Sequence, residues 1–436
     1  MQLNPSMAQN RRCRIFYPSI PYPAHEGSYI VAFEQLLALA AQGWEIELWV
    51  WNETAATIGN NGLKQLVLSH CPACQFSIHL LGSGQLPVNA AGTKKTIDRV
   101  KRTSKALLGK WASTELYYYP THLWRSLPES PCELEVFHYS FSAVWLLQAR
   151  RRVARKTVVF YHNLESDLAR IRELEEKNFG KRLIHRRNTE RLLQHERQLL
   201  SQVDETWWVS GRDYHLLTGH TLPSDPKSLS REKGRWVPPT IPKEWWISQD
   251  EAEISKFWVK EFKANSNLQV GVVGALDYQP NRQGLIWILE KVCPLLSLKG
   301  FAGKIHVVGR GADEELLGKL REYPFIEVHG FVEDLNPLWK NWSLSLVADV
   351  AGSGVRMKLL ESMSRGVQVL ATSAALLRLH PGIEACPGVH VSDREEVWVD
   401  WLMGHSHEVS VSQTGFMKWL DRDRIYRFLL SEGSKP

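Results

Sequence analysis

Gly352-Ser-Gly-Val-Arg-Met-Lys-Leu-Leu-Glu361, continuing Ser-Met-Ser-Arg-Gly-Val-Gln-Val-Leu-Ala-Thr372, is the stretch whose reading decides the fold of this chain. A glycine turn opens it, an amphipathic segment closed by Gly366 follows, and an apolar run from Val367 to Ala371 ends it. Turn, short helix, glycine stop and buried strand follow one another as they do in a parallel α/β sheet. The turn leaves N–H groups unpaired at a helix N-terminus, where free amides and the helix dipole both favour an anion. Arg356 and Lys358 add full positive charge at that point, against the dipole's own preference for acids, and so suggest an anionic ligand. Glu361 lies one turn beyond Lys358 on the same face and carries acceptors only. Cations for a diphosphate and a carboxylate for vicinal hydroxyls would suit a nucleotide. A surface helix with solvated charges is the plainer alternative.

Upstream, the same alternation repeats. Leu268 to Val273 reads as a strand ending at Gly274, and Asn281 to Leu295 suits a helix. Lys304 to Val308 is a strand meeting Gly309-Arg-Gly311, with a helix from Ala312 to Glu322 after it. Ile326 to His329 runs into Gly330, Asp334 to Lys340 is a short helix, and Leu344 to Val347 is a strand. Glycine at the carboxyl end of successive strands places loops where open α/β sheets bind ligands.

The first half has the same grammar. Arg14 to Ser19 is a strand, a loop with Pro21, Pro23 and Gly27 follows, then a helix from Ser28 to Ala41 and a strand from Trp44 to Trp51. Gln75 to Leu81, Glu135 to His138, Lys156 to Tyr161 and Glu205 to Val209 are further strands, with one long helical region from Leu168 to Gln202. Thr218 to Trp236 lacks an apolar period and reads as a loop. Val237-Pro-Pro-Thr-Ile-Pro242 reads as a stiff inter-domain connection. The expected domains are 12–240 and 241–411, with a final amphipathic helix, Phe416 to Leu430 within 412–436, free to pack back on the first domain.

The motifs Gly274-Ala-Leu-Asp-Tyr-Gln-Pro-Asn281, Val307-Val-Gly-Arg-Gly311, His329-Gly-Phe-Val-Glu-Asp334 and Gly352 to Glu361 occur in an order that resembles the retaining glycosyltransferases of family 4. Pro21-Tyr-Pro23 with Glu26-Gly27, and His162-Asn-Leu-Glu165 just after a strand, are similar to that family's first glycine loop and its active-site histidine segment. The resemblance runs from about Arg14 to Leu430. It implies the α/β GT-B architecture, two Rossmann-like domains facing across a cleft. It implies transfer of a sugar from a nucleotide-sugar donor to an acceptor hydroxyl with retention of anomeric configuration.

On the same resemblance, Glu361 meets the donor ribose and Gly352, Ser353, Gly354 and Val355 meet the donor sugar and phosphates. Gly330, Phe331 and Val332 lie at the base through backbone groups. Gly27 lets a loop approach the diphosphate, and His162 lies at the reacting sugar. The sequence departs from the pattern at Ser353, where many members carry a first Glu, and at Ala275, where an Arg is common. Arg356 and Lys358, with Arg282 as a further phosphate contact, are then left to neutralise the diphosphate. Neither a metal nor another cofactor is expected.

Composition sets outer limits. The chain has 436 residues, 44% hydrophobic and 23% charged, enough for two globular domains. No apolar run is long enough to span a bilayer, Met1 to Arg14 is polar, and the six cysteines do not suggest a disulfide framework, so a cytoplasmic protein is expected. Cys71-Pro-Ala-Cys74 after His70 lacks a second pair at ligand spacing and reads as ordinary thiols. Net charge is +6, and Lys94, Lys95, Arg99, Lys101, Arg102, Lys105 and Lys110 crowd one segment with Ile97, Val100, Leu107, Leu108 and Trp111 between them. That mixture suits peripheral contact with an anionic membrane or a lipid-linked acceptor; a solvated helix face serving a soluble sugar or small-molecule acceptor is the alternative. Nucleic acid is not an expected partner. Competing readings are an epimerase or phosphorylase of the same fold, and a catalytically silent nucleotide- or glycan-binding partner. A dinucleotide dehydrogenase is disfavoured, because Gly309-Arg-Gly311 lacks a third glycine.

Overall fold

The computed structural model describes residues 11–22, 27–59, 61–81, 112, 127–144, 146–149, 153–246, 268–349, 355–379, 383, 386, 388–404, 425–426 and 429. Gly352, Ser353 and Gly354, the basic segment Lys94 to Lys110, and all of the final helix except Ile425, Tyr426 and Leu429 lie outside the described residues. The chain divides into two compact units, Met1–Thr240 with Arg422–Pro436, and Ile241–Asp421.

The first unit is a seven-stranded parallel sheet in the order β3-β2-β1-β4-β5-β6-β7. Its strands are β1 (Arg12–Phe16), β2 (Glu45–Val50), β3 (Phe76–Leu80), β4 (Cys132–His138), β5 (Ala154–Tyr161), β6 (Glu205–Trp208) and β7 (Gly234–Trp236). The helices α1 (Gly27–Ala41), α2 (Gly62–His70), α3 (Glu165–Glu175), α4 (Phe179–Gln202) and α5 (Gly211–Thr218) connect them. The central strands β1, β4 and β5 are buried over most of their length, as a parallel sheet covered on both faces requires, although they carry charged residues. Arg14 is fully buried in β1 because its guanidinium reaches Glu47 of β2 at 2.8 Å, Glu135 of β4 at 3.1 Å and the Ser130 carbonyl at 3.2 Å.

Two expectations are corrected here. The helical region 168–202 is two helices: Asn178 breaks it by capping α4, its side chain accepting the Lys181 N–H at 3.0 Å. The supposed loop Thr218 to Trp236 ends in β7, whose Arg235 is held by Glu205 of β6 at 3.2 Å and whose Trp236 is buried. Three residues are too few to show a period-2 pattern, so the pairing is set by that ion pair and by Trp236.

The second unit is a six-stranded parallel sheet in the order β10-β9-β8-β11-β12-β13. Its strands are β8 (Gln269–Val273), β9 (Lys304–Val308), β10 (Ile326–Gly330), β11 (Leu344–Val347), β12 (Gln368–Ala371) and β13 (Val389–Val391). Its main helices are α6 (Gln279–Trp287), α7 (Glu314–Arg321), α8 (Met357–Ser364) and α9 (Glu395–Met403), with a four-residue turn of helix at Asn336–Trp339. β13 and α9 carry no motif that marks them in the sequence. Helix α6 continues through a π-turn, Ile288–Val292, into Cys293–Leu298; Pro294 has no N–H to give and displaces the hydrogen-bond ladder one residue. α6 also lies hard against the end of β11, since a Cβ at Gly284 would collide with the Ala348 carbonyl.

Each sheet reverses its strand order once, between β1 and β4 in the first unit and between β8 and β11 in the second. The carboxyl ends of those strands are the places where open α/β sheets hold ligands.

Candidate functional site

In the second unit the switch point is occupied by a carboxylate that the sequence reading missed. Asp349, two residues past β11, is fully buried, and its Oδ2 lies 2.6 Å from Arg356 Nε and its Oδ1 3.5 Å from Lys358 Nζ. Lys358 Nζ also donates to Asn281 Oδ1 at 3.1 Å, and Asn281 Nδ2 donates to the Ala275 carbonyl at 3.0 Å. Thr372 Oγ1 donates to the Asp349 carbonyl at 2.6 Å. One aspartate, one asparagine and one threonine thus tie the ends of β8, β11 and β12 to the start of α8. Burial pulls the Lys358 ammonium below the usual range; Asp349 opposes that shift and Arg356 reinforces it.

The two cations, taken by themselves, therefore do not point to an external anion. Helix α8 begins at Met357, so Arg356 is its N-cap residue and Lys358 alone falls in the first turn. Asp349 supplies a carboxylate to both. Its position just past a strand end was the one signal the sequence offered.

Glu361, in the middle of α8, accepts from Arg365 Nε at 3.0 Å. Burial raises its pKa and Arg365 opposes the rise. Arg365 in turn donates to Asn336 Oδ1 at 2.6 Å and lies over the rings of Trp245 and Trp339 at 5.4 and 5.5 Å. Trp339 also packs in the small cluster with Val308, Trp342 and Val367 against which Val332 rests. Trp339 therefore links Glu361, through Arg365, to the segment Gly330-Phe-Val332. Gly330 closes β10 at φ +66°, a left-handed conformation that favours glycine, and its carbonyl accepts the Gly309 N–H at 2.8 Å. Phe331 is 61% exposed. Arg282 is brought elsewhere: its guanidinium sits 2.9 Å from Asp313, which caps α7.

In the first unit the switch point holds an imidazole pair. His162, directly after β5, is buried, and its Nε2 lies 2.7 Å from Nδ1 of His138, the last residue of β4. His138 Nε2 lies 2.7 Å from Gln35 Oε1 in α1. An amide oxygen only accepts, so His138 carries its proton on Nε2, its Nδ1 accepts from His162 Nε2–H, and His162 keeps its lone pair on Nδ1. Burial takes the His162 pKa down to about 3 and, with His162 adding to it, pulls His138 well down too. Both rings are neutral near pH 7.

Tyr139 between them holds φ +69°, which a tyrosine rarely adopts, with its ring 4.7 Å from His162 and stacked on Phe141 at 5.0 Å. Tyr17, just past β1, reaches the Tyr139 hydroxyl at 3.4 Å. Behind them Glu196 of α4 accepts from Ser140 Oγ at 3.0 Å and from the Glu165 N–H at 2.9 Å, so it caps α3 from outside the helix. Burial raises the Glu196 pKa to about 8 and that of Glu165 to about 7. Gly27 is the first residue of α1. A neutral imidazole fixed in one tautomer can accept a hydroxyl hydrogen bond or take a proton from it.

These two sheets, each strand-reversed at its centre, are of the GT-B class, the architecture shared with solved glycosyltransferases over nearly the whole chain. A sucrose-phosphate synthase from Thermosynechococcus elongatus superposes with a TM-score of 0.56 at 14% identity, covering 97% of both chains. WaaG, a glycosyltransferase involved in lipopolysaccharide biosynthesis, does so with a TM-score of 0.54 at 15% identity, covering 97% of this chain and 98% of its own. An E. coli trehalose-6-phosphate protein bound with UDP-2-fluoro glucose gives 0.56 at 10% identity, covering 98% and 99%. Residues 267–396, from the approach to β8 into α9, match the family described as Glycosyl transferases group 1. No curated protein matches the chain by sequence.

Proposed function

We propose that the protein is a glycosyltransferase that moves a hexosyl group from a nucleotide-sugar donor to an acceptor hydroxyl with retention of configuration. The observation that carries this reading is that the family match, residues 267–396, encloses the Asp349–Arg356–Lys358 cluster at the switch point and Glu361 on the helix that starts there. In this reading Glu361 holds the donor ribose and Gly330, Phe331 and Val332 flank the base. Arg356, Lys358 and the amides of Gly352, Ser353, Gly354 and Val355 receive the diphosphate. Positive groups and oriented amides stabilise the charge that develops on the leaving phosphate. Gly27, the first residue of α1, lets the loop ahead of it approach the diphosphate, and His162 serves the reacting sugar. The acceptor proton passes to the departing phosphate on the face where the bond breaks, so no second carboxylate is needed. UDP-glucose analogue binding by the E. coli protein supports a nucleoside diphosphate sugar as donor.

A thermal-shift screen against nucleoside diphosphates and their sugars tests this reading, because a ligand bound to the folded state raises its stability. A positive donor should then bind Glu361→Gln about tenfold or more weakly, from the loss of charge-assisted hydrogen bonds. Equal affinity in the variant would remove Glu361 from the ribose. A second reading, a nucleotide-binding partner without turnover, is favoured by one observation: Arg356 and Lys358 already share the internal carboxylate Asp349. Donor binding with no release of nucleoside diphosphate across acceptor classes would select it.

A further inference from the structure

A second histidine pair lies in the second unit, with a neighbour that the first pair lacks. His306, in the middle of β9, is buried, and its Nδ1 lies 2.8 Å from Nε2 of His329 on β10. Its Nε2 lies 2.5 Å from Gln269 Oε1 on β8. As with Gln35, the amide oxygen holds the proton on Nε2 and leaves the lone pair of Nδ1 directed between the strands. Glu327 of β10 is there as well, with Oε2 3.9 Å from His306 Nδ1 and Oε1 3.6 Å from His329 Nε2.

These three side chains form a candidate ligand set. A tetrahedral zinc ion with bonds of roughly 2.0–2.1 Å keeps neighbouring donors about 3.3 Å apart. The two imidazole nitrogens are 2.8 Å apart, Glu327 brings Oε1 to 3.6 Å from His329 and Oε2 to 3.9 Å from His306, and one ligand atom from each residue lies within 4.8 Å of the other two. Closing the set around one ion needs His329 and Glu327 to move, and their side chains are 19% and 52% exposed. The innermost ligand, His306, is already held by Gln269, the kind of outer hydrogen bond that orients a metal-binding imidazole. Among the described residues, no other three His, Cys, Asp or Glu side chains bring ligand atoms within 4.8 Å of one another.

We propose that His306, Glu327 and His329 bind one divalent transition-metal ion, zinc in preference to a hard cation such as magnesium, with the fourth position open to water. Two neutral imidazoles and a carboxylate select zinc-like ions, whereas magnesium prefers oxygen ligands alone. The ion bridges β9 and the edge strand β10 in place of the proton now shared between the two rings. Because His329 immediately precedes Gly330, it would also brace the segment Gly330-Phe-Val332. The site stands on this geometry and does not depend on the sugar-transfer reading.

The test is calorimetric titration of zinc chloride into the full chain, compared with His329→Gln, Glu327→Gln and Gln269→Leu, each first checked for a native circular dichroism spectrum. One zinc equivalent is expected in the wild type. It should be lost in His329→Gln and weakened at least tenfold in Glu327→Gln and in Gln269→Leu. Cobalt(II) should give a tetrahedral visible spectrum without a thiolate charge-transfer band, which separates this site from Cys71 and Cys74. No zinc uptake by the wild type, uptake that survives His329→Gln unchanged, or a thiolate band that carries the whole cobalt signal would each overturn the proposal.

Discussion

Asp349 shows how a single residue changes the meaning of its neighbours. Its carboxylate is fully buried and is shared by Arg356 and Lys358. Removing one side of a buried ion pair leaves the other charge uncompensated, at a cost of about 3 kcal/mol or more. Asp349→Asn is therefore expected to lower the denaturation midpoint of the protein. If the cations also serve a diphosphate, added nucleoside diphosphate should recover part of that loss and the free nucleoside should not. Equal recovery by both would make Arg356 and Lys358 structural.

His162 is a different case, because its proton is withheld in the fold. The unfolded ring titrates near 6.5, while the folded one does so at about 3. Between those values the unfolded state binds more protons, so this residue's contribution to stability falls as pH falls. Relative to His162→Asn, the wild type should lose roughly 1 kcal/mol per pH unit below about pH 6, read from urea denaturation at a series of pH values. Glu165 and Glu196 run the other way, since their raised pKa values favour the fold at low pH and lose that contribution as pH rises toward 7 to 8. The comparison with the variant isolates the histidine from them. If His162 accepts a hydroxyl proton or hydrogen bond from the sugar, His162→Asn should also cost turnover roughly 10²-fold or more with little change in donor affinity.

At the scale of elements, the glycines at strand and helix contacts do what the sequence suggested only in part. Gly330 was legible as a strand end, and its φ of +66° gives a backbone reason for it. Gly284 was not legible at all, being an ordinary residue inside a helix. Its role is set by the close approach of α6 to the Ala348 carbonyl at the end of β11. Gly284→Ala should therefore destabilise by about 1–3 kcal/mol through overpacking. Gly318 in α7 has open space where a Cβ would go, so Gly318→Ala should instead stabilise by up to about 1 kcal/mol. Chemical denaturation of the two variants checks both signs. The histidine relays belong to this scale too: each depends on residues from three different elements brought together by a sheet.

Over the whole molecule, the uneven charge is what remains to be explained by a partner. No helix among the described residues is long and apolar enough to cross a membrane. Seven cations between Lys94 and Lys110, interleaved with apolar residues, suit a peripheral contact with an anionic surface. Each basic residue near such a surface contributes roughly 1 kcal/mol within a Debye length. Sedimentation with vesicles should rise with anionic lipid content and fall with added salt. Changing Lys101, Arg102 and Lys105 together to Gln should remove that dependence. Protein that stays in the supernatant with every lipid composition at low salt would leave a soluble sugar or small molecule as the acceptor.

The chain by itself determined the parallel α/β class, since alternating apolar strands, glycine turns and amphipathic helices are local patterns that repeat along it. It also offered α8 and the segment after β10 as candidates for a ligand site, because both follow strand ends. Strand order, and with it the position of each switch point, was decided only in three dimensions. So were the pairing of Asp349 with Arg356 and Lys358, the orientation of His162 by His138 and Gln35, and the meeting of His306 with His329. Lys358 and Asn281 are 77 residues apart in sequence, and His138 and Gln35 are 103 apart. Contacts at that distance leave no periodic trace in the sequence. They exist because neighbouring parallel strands, joined by helical crossovers, end on the same edge of the sheet.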